Sequence, residues 1–495
     1  MKRSWLFFVF SLLVFSLIFY LVRHFMTSLD EYDNLTAPYL MSQGLKFYRD
    51  QFNMHFPFPY YWAYLFSPLW LSLNFSRAVA IFRLSLLFLY LVSYLLVSLS
   101  FRQNIYRVLF SIWILLMSII FSLYHGNLYL SDTFSTIFVA SLFWLLIPVI
   151  FSKQKFTDYH LFLSVLFSSL GFWSQPFLGI LFIVPLFFIS KPQILKYLAH
   201  SSLNLIPVIY FFFNNQLVAF IDQTIVFNST TYTKFFPEQI NNYSMMIQNL
   251  LVFIPHEIKL FTTFTDPFSV FQFITHLSLI IFSIFLFAQK KYKYFLAIIL
   301  IIISTRLREI KINPGQLYNY PLFPFISIAS ASSLLLVYLF KNKVVKIFFA
   351  LAVVVLFLTS YHSFSPILKQ SLNLGYNYEV FWSYRQRMGE DIASFASPSD
   401  KILIYPYDSD LYFFSKRLPF DNYIYWYPWM NSVDKYRQQR TSSLKLSPPA
   451  LIYYGNMSYK DDPQHYAQFF PDLLQNYQPV LRDSKPTNYW IPHQP

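Results

Sequence analysis

The chain has 495 residues, of which 56% are hydrophobic, 22% aromatic and only 12% charged, with a net charge of +14. A soluble globular chain carries about 25% charged residues, so this composition points away from a soluble protein and toward a polytopic membrane protein. The basic excess sits in short loops between apolar runs, which argues against nucleic acid as a partner. The absence of cysteine excludes a disulfide framework, a thiolate metal site and a thiol nucleophile.

The N-terminus, MKRSWLFFVFSLLVFSLIFYLV, has a basic start, a long apolar run and no small-x-small cleavage site. It reads as a retained first transmembrane helix rather than a cleaved signal. Apolar runs that predict spans lie at 5–22, 79–99, 108–124, 133–151, 160–173, 177–190, 197–213, 268–288, 294–304, 320–340 and 346–362. A break at Ser174-Gln175-Pro176 leaves 160–190 readable as an interrupted hairpin. The Lys/Arg bias orients the set. Lys2-Arg3, Arg102 to Arg107, Lys153 to Lys155, Lys191 to Lys196, Lys290 to Lys293 and Lys341 to Lys346 fall on one side, with Asp158 the only acid near them. Asp30, Glu31, Asp33, Asp50, Asp132, Asp222, Glu238, Glu257, Asp266 and Glu309 fall on the other. The N-terminus is then cytoplasmic, and the first outer loop (24–78) and the C-terminus are extracytoplasmic.

The predicted fold class is an all-α polytopic membrane protein of about eleven transmembrane helices over residues 1–362. A small extracytoplasmic α/β domain follows over 363–495, where proline, charge and Tyr/Trp rise. In it KILIYPYD, DLYFFSKRLP, PPALIYYG and PVLRD read as strands, and 379–396 and 463–476 as helices. Tyr60 to Asn74 reads as an interfacial or re-entrant helix, and Gln216 to Tyr232 as an amphipathic helix leading into a loop. Asn228-Ser229-Thr230 matches a glycosylation pattern common by chance. Tyr423 to Trp429 suits core packing or stacking on sugars.

The stretch from Leu29 to Tyr64 concentrates charge beside the membrane wall: Asp30, Glu31, Asp33, Arg49 and Asp50. A carboxylate there suits a general base acting on a hydroxyl; the structural reading is an ordinary interfacial acid. His55 is a lone histidine, more often a packing or hydrogen-bonding residue than a ligand. Arg83 lies inside an apolar run, where a charge is functional or paired; Asp30, Asp33 and Asp132 are its candidate partners. Ser131 and Asp132 suit an N-cap. His125 with Asp30, Glu31 and Asp132 would make an oxygen-rich divalent-metal site, without a spacing signature to support it. Arg306, Arg308 and Lys311 form a basic cluster on the outer side, against the positive-inside pattern, ahead of Tyr318-Asn319-Tyr320-Pro321. It suits a lipid phosphate, or interfacial anchoring by snorkelling. There is no P-loop, dinucleotide fingerprint or HExxH, and only 8 glycines, so cytosolic nucleotide chemistry is not indicated.

The run Asp30-Glu31, Ala37, Gly44, Tyr48-Arg49-Asp50, His55 and Pro57-Phe58-Pro59 resembles the first outer loop of GT-C glycosyltransferases. Its nearest likeness is to the protein O-mannosyltransferase-like, aminoarabinose-transferase-like and RgtA-like (family 39-like) branches. The resemblance implies an inverting transfer of a sugar from a polyprenyl-phosphate donor to an acceptor hydroxyl outside the membrane. It puts Asp30 at the catalytic acidic position with Glu31 as neighbour, and Arg306, Arg308 and Lys311 at the donor phosphate. Asp132, His55, Asp50, Arg83 and Tyr320 are left for acceptor, metal or structural roles. At 55–59 relatives often carry Lys-Pro-Pro; the lysine is absent here. The implied partners are membrane lipids, the lipid-linked sugar and a glycan, lipid or protein acceptor. The competing readings are a transporter or flippase of lipid-linked saccharides, and a surface-glycan polymerase or ligase.

Overall fold

In hydrocarbon every backbone N–H and C=O must find a partner within its own segment, so the Phe-, Leu- and Ile-rich runs wind into helices. The computed structural model describes residues 2–25, 29–152, 154–235, 267–307, 322–373, 375–455 and 475–493. In chain order come α1 (Lys2–Val22), α2 (Leu29–Ser42), α3 (Phe58–Leu65), α4 (Ser67–Trp70), α5 (Phe75–Ser100), α6 (Asn104–Leu123), α7 (Ser131–Phe151) and α8 (Asp158–Ser174). A 3-10 helix Pro176–Phe187 and helices Gln193–Ser201, Leu205–Phe213 and Leu217–Ile221 follow, the last running into a π-helix Asp222–Tyr232. Helices Pro267–Ala288, Tyr292–Arg306, Phe323–Leu339 and Lys343–Asn373 complete the apolar part.

Each of the eleven apolar runs contains helix, but among the described residues not every helix is long enough to cross a bilayer unaided. Among the described residues six helices are long and apolar enough to span, or seven if the pair Gln193–Phe213 and Leu217–Tyr232, bent by 116°, is one span. The shortfall has local causes. Gln175-Pro176 ends α8 and leaves a 3-10 helix of 12 residues, and Tyr292–Arg306 has 15 residues against the roughly 20 a bilayer asks for. The chain is an integral membrane protein on this count alone.

α7 is the centre of the bundle and is buried along nearly its whole length, with α5, α8 and Phe323–Leu339 packed around it. The aromatic content fills the interior. Phe19 stacks on Phe121 at 5.3 Å, and Phe110, Trp113 and Trp144 pack with centroids within 5.8 Å. The expected Tyr60–Asn74 helix is present as α3 and α4, split at Phe66 just before Pro68; the Asn74 side chain then caps α5 by accepting from Arg77 N–H at 3.1 Å.

Beyond helix Gly375–Phe395 stands a five-stranded sheet: β1 (Lys401–Tyr405), β2 (Leu418–Pro419), β3 (Leu451–Tyr454), β4 (Tyr477–Arg482) and β5 (Lys485–Pro492). Its order is β2-β1-β3-β5-β4, parallel across β2, β1 and β3 and antiparallel at β5 and β4. The expected strand in DLYFFSKRLP is instead helix Asp410–Ser415, leaving only the two residues of β2. The reason is a buried clamp. Arg385 bonds Asp408 at 2.8 Å and also pairs with Asp410 in that helix's first turn. Leu411, Tyr412 and Phe413 are all buried in that helix. β5 and helix Asp434–Leu446 were not expected. Most of the expected 463–476 helix lies outside the described residues.

Replacing Arg385 by Ala leaves the fully buried Asp410 carboxylate without its cation. We expect a loss of about 3–5 kcal/mol, measurable as a shift in SDS-induced unfolding of the full chain.

Candidate functional site

α2 begins one short connection after α1 and carries the acids of the first loop. Its N-terminal end, where Asp30 and Glu31 stand, favours negative charge because the unpaired helix N–H groups point there. The backbone of Asp30 lies in the first turn of the helix, and its side chain lies outside the described residues. Glu31 is wholly buried. It accepts from Arg83 Nε at 2.8 Å and Nη2 at 2.5 Å, and from the Tyr129 N–H at 2.8 Å. Arg83 also donates to the carbonyls of Arg23 and Phe25, past the end of α1. The ion-pair partner shown for Arg83 is Glu31, 52 positions away on α2 and not among the candidates weighed from the sequence; of those candidates, the Asp30 side chain lies outside the described residues.

The loop between α6 and α7 closes this centre. Asn127 donates to the carbonyls of Val22 (3.2 Å) and Phe25 (2.8 Å), and Asn34 donates to the Tyr129 carbonyl at 2.8 Å. A Cβ on Gly126 would come within 2.5 Å of Phe323 Cε1, so glycine lets this loop touch the start of helix Phe323–Leu339. Asp132 accepts from Gln175 Nε2 at 2.9 Å and is buried. The α7 N-cap is Leu130, with no side-chain cap bond, so neither Ser131 nor Asp132 has the capping role expected of it. The helix break at Gln175 delivers the amide that holds Asp132. With Asn34, His55, Tyr60 and Ser131, Asp132 lines a small cavity beside α2. Asp50 is elsewhere: it binds Arg49 at 2.7 Å and the Lys46 N–H at 2.9 Å, stabilising its own turn.

Phe323 leads to a second feature. Two residues on, Phe325 packs against the His276 ring at 4.7 Å and lies under the Arg306 guanidinium at 5.2 Å. Arg306 is the last residue of its helix and only 6% exposed. A cation is favoured there by the helix C-terminus. His276 and Phe325 head an apolar groove of about 310 Å³ that runs past Leu279, Ser283 and Ile302 to Phe287 and Phe295. Sequence reasoning missed His276, although a histidine inside the run 268–288 is the kind of polar intrusion that marks function in membrane helices. It also missed Gln175. Arg308, Lys311 and Tyr320 lie outside the described residues. Among the described residues no group of three His, Asp or Glu side chains is placed to hold a metal.

No family model matches the chain, and no curated protein matches it. Among solved structures, ArnT from Cupriavidus metallidurans in the apo state is 10% identical, with a TM-score of 0.50 over 98% of this chain and 97% of that one. The same protein bound to undecaprenyl phosphate is 12% identical, with a TM-score of 0.46 over 99% and 98%. At such identity the apo likeness is one of fold. The chain has the ArnT-like architecture, helical bundle and small terminal sheet together, that the first-loop resemblance implied.

Two outcomes test this geometry. Arg83→Ala strands the buried Glu31 carboxylate and is expected to cost about 3–5 kcal/mol in SDS unfolding, while the double change Glu31→Leu with Arg83→Met recovers much of that loss. His125, between α6 and α7, is held neutral: burial first, and then the Arg83 charge, push it down to about 4. The unfolded imidazole protonates near its ordinary 6.5, so stability is full above that pH and falls between about 6.5 and 4. The loss is at most about 3 kcal/mol. His125 has φ 57°, a conformation that asparagine tolerates, so His125→Asn is expected to keep the fold and flatten that part of the pH–stability curve.

Proposed function

We propose that this protein is an integral-membrane glycosyltransferase that moves a sugar from a polyprenyl-phosphate carrier to an acceptor hydroxyl on the extracytoplasmic side. The observation that carries the reading is the placement of a nearly buried arginine, Arg306, beside the head of an apolar groove among helices Pro267–Ala288, Tyr292–Arg306 and Phe323–Leu339. A long apolar tail with a single anionic head has that distribution of chemistry. The rim residues Ile284 and Phe287 are exposed on the bundle surface, which gives a tail a lateral way in from the bilayer. The ArnT-like fold supports the same reading.

In this reaction the acceptor oxygen attacks the anomeric carbon on the face opposite the phosphate. The bond from that carbon to the phosphate oxygen breaks with inversion. The acceptor proton goes to a carboxylate, and the electron pair leaves on the carrier phosphate. Arg306 stabilises the charge arriving there, with Arg308 and Lys311 as the further cations of the same segment. Asp30 takes the base role. Glu31 is suited to a different one, since its oxygens already hold Arg83 and the Tyr129 N–H; it fixes the helix end that carries Asp30. Asp132 and His55, which line the small cavity, take the acceptor side in this reading. The basic loops orient the N-terminus to the cytoplasm of a plasma membrane and the terminal sheet to the outside.

Purified protein supplied with radiolabelled polyprenyl-phosphate sugars tests this. Wild type is expected to transfer label. Asp30→Asn is expected to lower kcat by about 10²–10⁴-fold. Arg306→Met is expected to weaken the donor about 10–100-fold, the worth of one charge-assisted phosphate contact. Undiminished transfer in Asp30→Asn moves the base to Asp132. Carrier binding without transfer from any donor favours a transporter of lipid-linked saccharides instead.

A further inference from the structure

We propose that Gln223 and Asn228 are positioning residues for the cavity that His55 and Asp132 line, carried on a helix whose opposite face is seated in the bilayer surface; the positioning role rests on reading that cavity as the reaction site. The stretch Leu217–Tyr232 has two faces. One is apolar and exposed at Val218 (83%), Ile221 (42%) and Ile225 (50%), spaced three and four apart. Its neighbours beyond the bend, Phe212 and Phe213 at the end of the preceding apolar helix, are exposed as well. The stripe therefore continues an exposed apolar surface, and it gives way to Ser229 and Thr230 one turn later. A bilayer interface fits that sequence of apolar then hydroxyl side chains.

The other face grips the first loop. The buried Gln223 amide donates to the Tyr48 carbonyl at 2.7 Å and accepts from the Asn53 N–H at 2.8 Å. Asn228 donates to the Met54 carbonyl at 2.8 Å. Both loop residues held by Gln223 then hold His55 directly. Tyr48 Oη donates to the His55 carbonyl at 2.8 Å, and the His55 N–H donates to Asn53 Oδ1 at 2.9 Å. Tyr48 has φ 63°, a left-handed conformation uncommon for a bulky residue, so the loop needs outside support to keep this shape. One amide thus sets both backbone groups of His55 through one intermediate on each side. The displacement of this helix from the membrane surface would release them together.

The chain has no cysteine, so single-cysteine labelling is clean. In lipid nanodiscs, hydrogen exchange at the Asn53 and His55 amides is expected to be about tenfold faster in Gln223→Met, an apolar change of similar size. Gln223→Glu keeps the acceptor for the Asn53 N–H and is expected to leave that amide protected. A fluorophore at Ile221→Cys is expected to be quenched by a lipid-soluble quencher, and one at Thr230→Cys by aqueous iodide. Per carrier-binding site, Gln223→Met is expected to lower kcat about tenfold with donor KM within twofold, a split that a smaller folded fraction does not produce. Wild-type exchange rates in Gln223→Met, an unchanged kcat per site, or a water-exposed probe at residue 221 would each overturn the proposal. Exchange and quenching need no turnover, so they judge this placement even where sugar transfer itself fails.

Discussion

A guanidinium buried among apolar helices has to be matched, and the way Arg83 is matched decides much of the rest. Its charge is met by Glu31, and its Nη1 donates to carbonyls just past α1. Removing either partner would strand a charge in low dielectric, where the cost far exceeds the worth of an exposed pair. The bridge therefore locks α1, α2 and α5 into one register, and the Tyr129 N–H adds the loop before α7. Every residue assigned to chemistry on α2 inherits its position from this contact.

A second arginine repeats the device near the other end of the bundle. Arg107 donates to the carbonyls of Ser98 and Phe101, at the end of α5, and lies over Trp5 at 4.1 Å. Helix C-termini leave carbonyls without intrahelical partners, and arginine offers five donors in a fixed fork. Two such caps, one at each end of the α1–α5–α6 group, reconcile buried charge with an apolar surround. This weakens the case for reading the buried arginines as a transport pathway.

The first loop joins the membrane bundle to the terminal domain. Phe52 packs with Phe227 on one side and with Tyr423 and Tyr425 on the other, and its N–H donates to the Asn422 carbonyl at 2.5 Å. Asp33 on α2 accepts from Ser409 of the terminal domain. Aromatic residues make such joints because a flat ring buries large area with few rotatable bonds to order. The cavity beside α2 and the head of the groove thus belong to one braced unit, linked through Gly126 and Phe323.

The helical runs, the membrane class and the charged first loop were legible in the sequence because they depend on local composition: hydrocarbon forces apolar runs into helices wherever they fall. Leu451–Tyr454 and Lys401–Tyr405 were legible as strands for a similar reason, their β-branched and aromatic residues lying between turn residues. What only the tertiary structure decided is who meets whom. No local signal singles out Glu31, which tertiary packing brings to Arg83. Asp132 looked like a cap until the break at Gln175 placed an amide against it. DLYFFSKRLP has the aromatic residue types of a strand, yet its first six residues are a helix whose first turn is held by the Arg385 clamp on Asp408 and Asp410. The meeting of Arg306, His276 and Phe325 joins three helices and has no local signature. Contacts between residues tens to hundreds of positions apart are set by how buried surfaces fit, and no window of sequence contains that information.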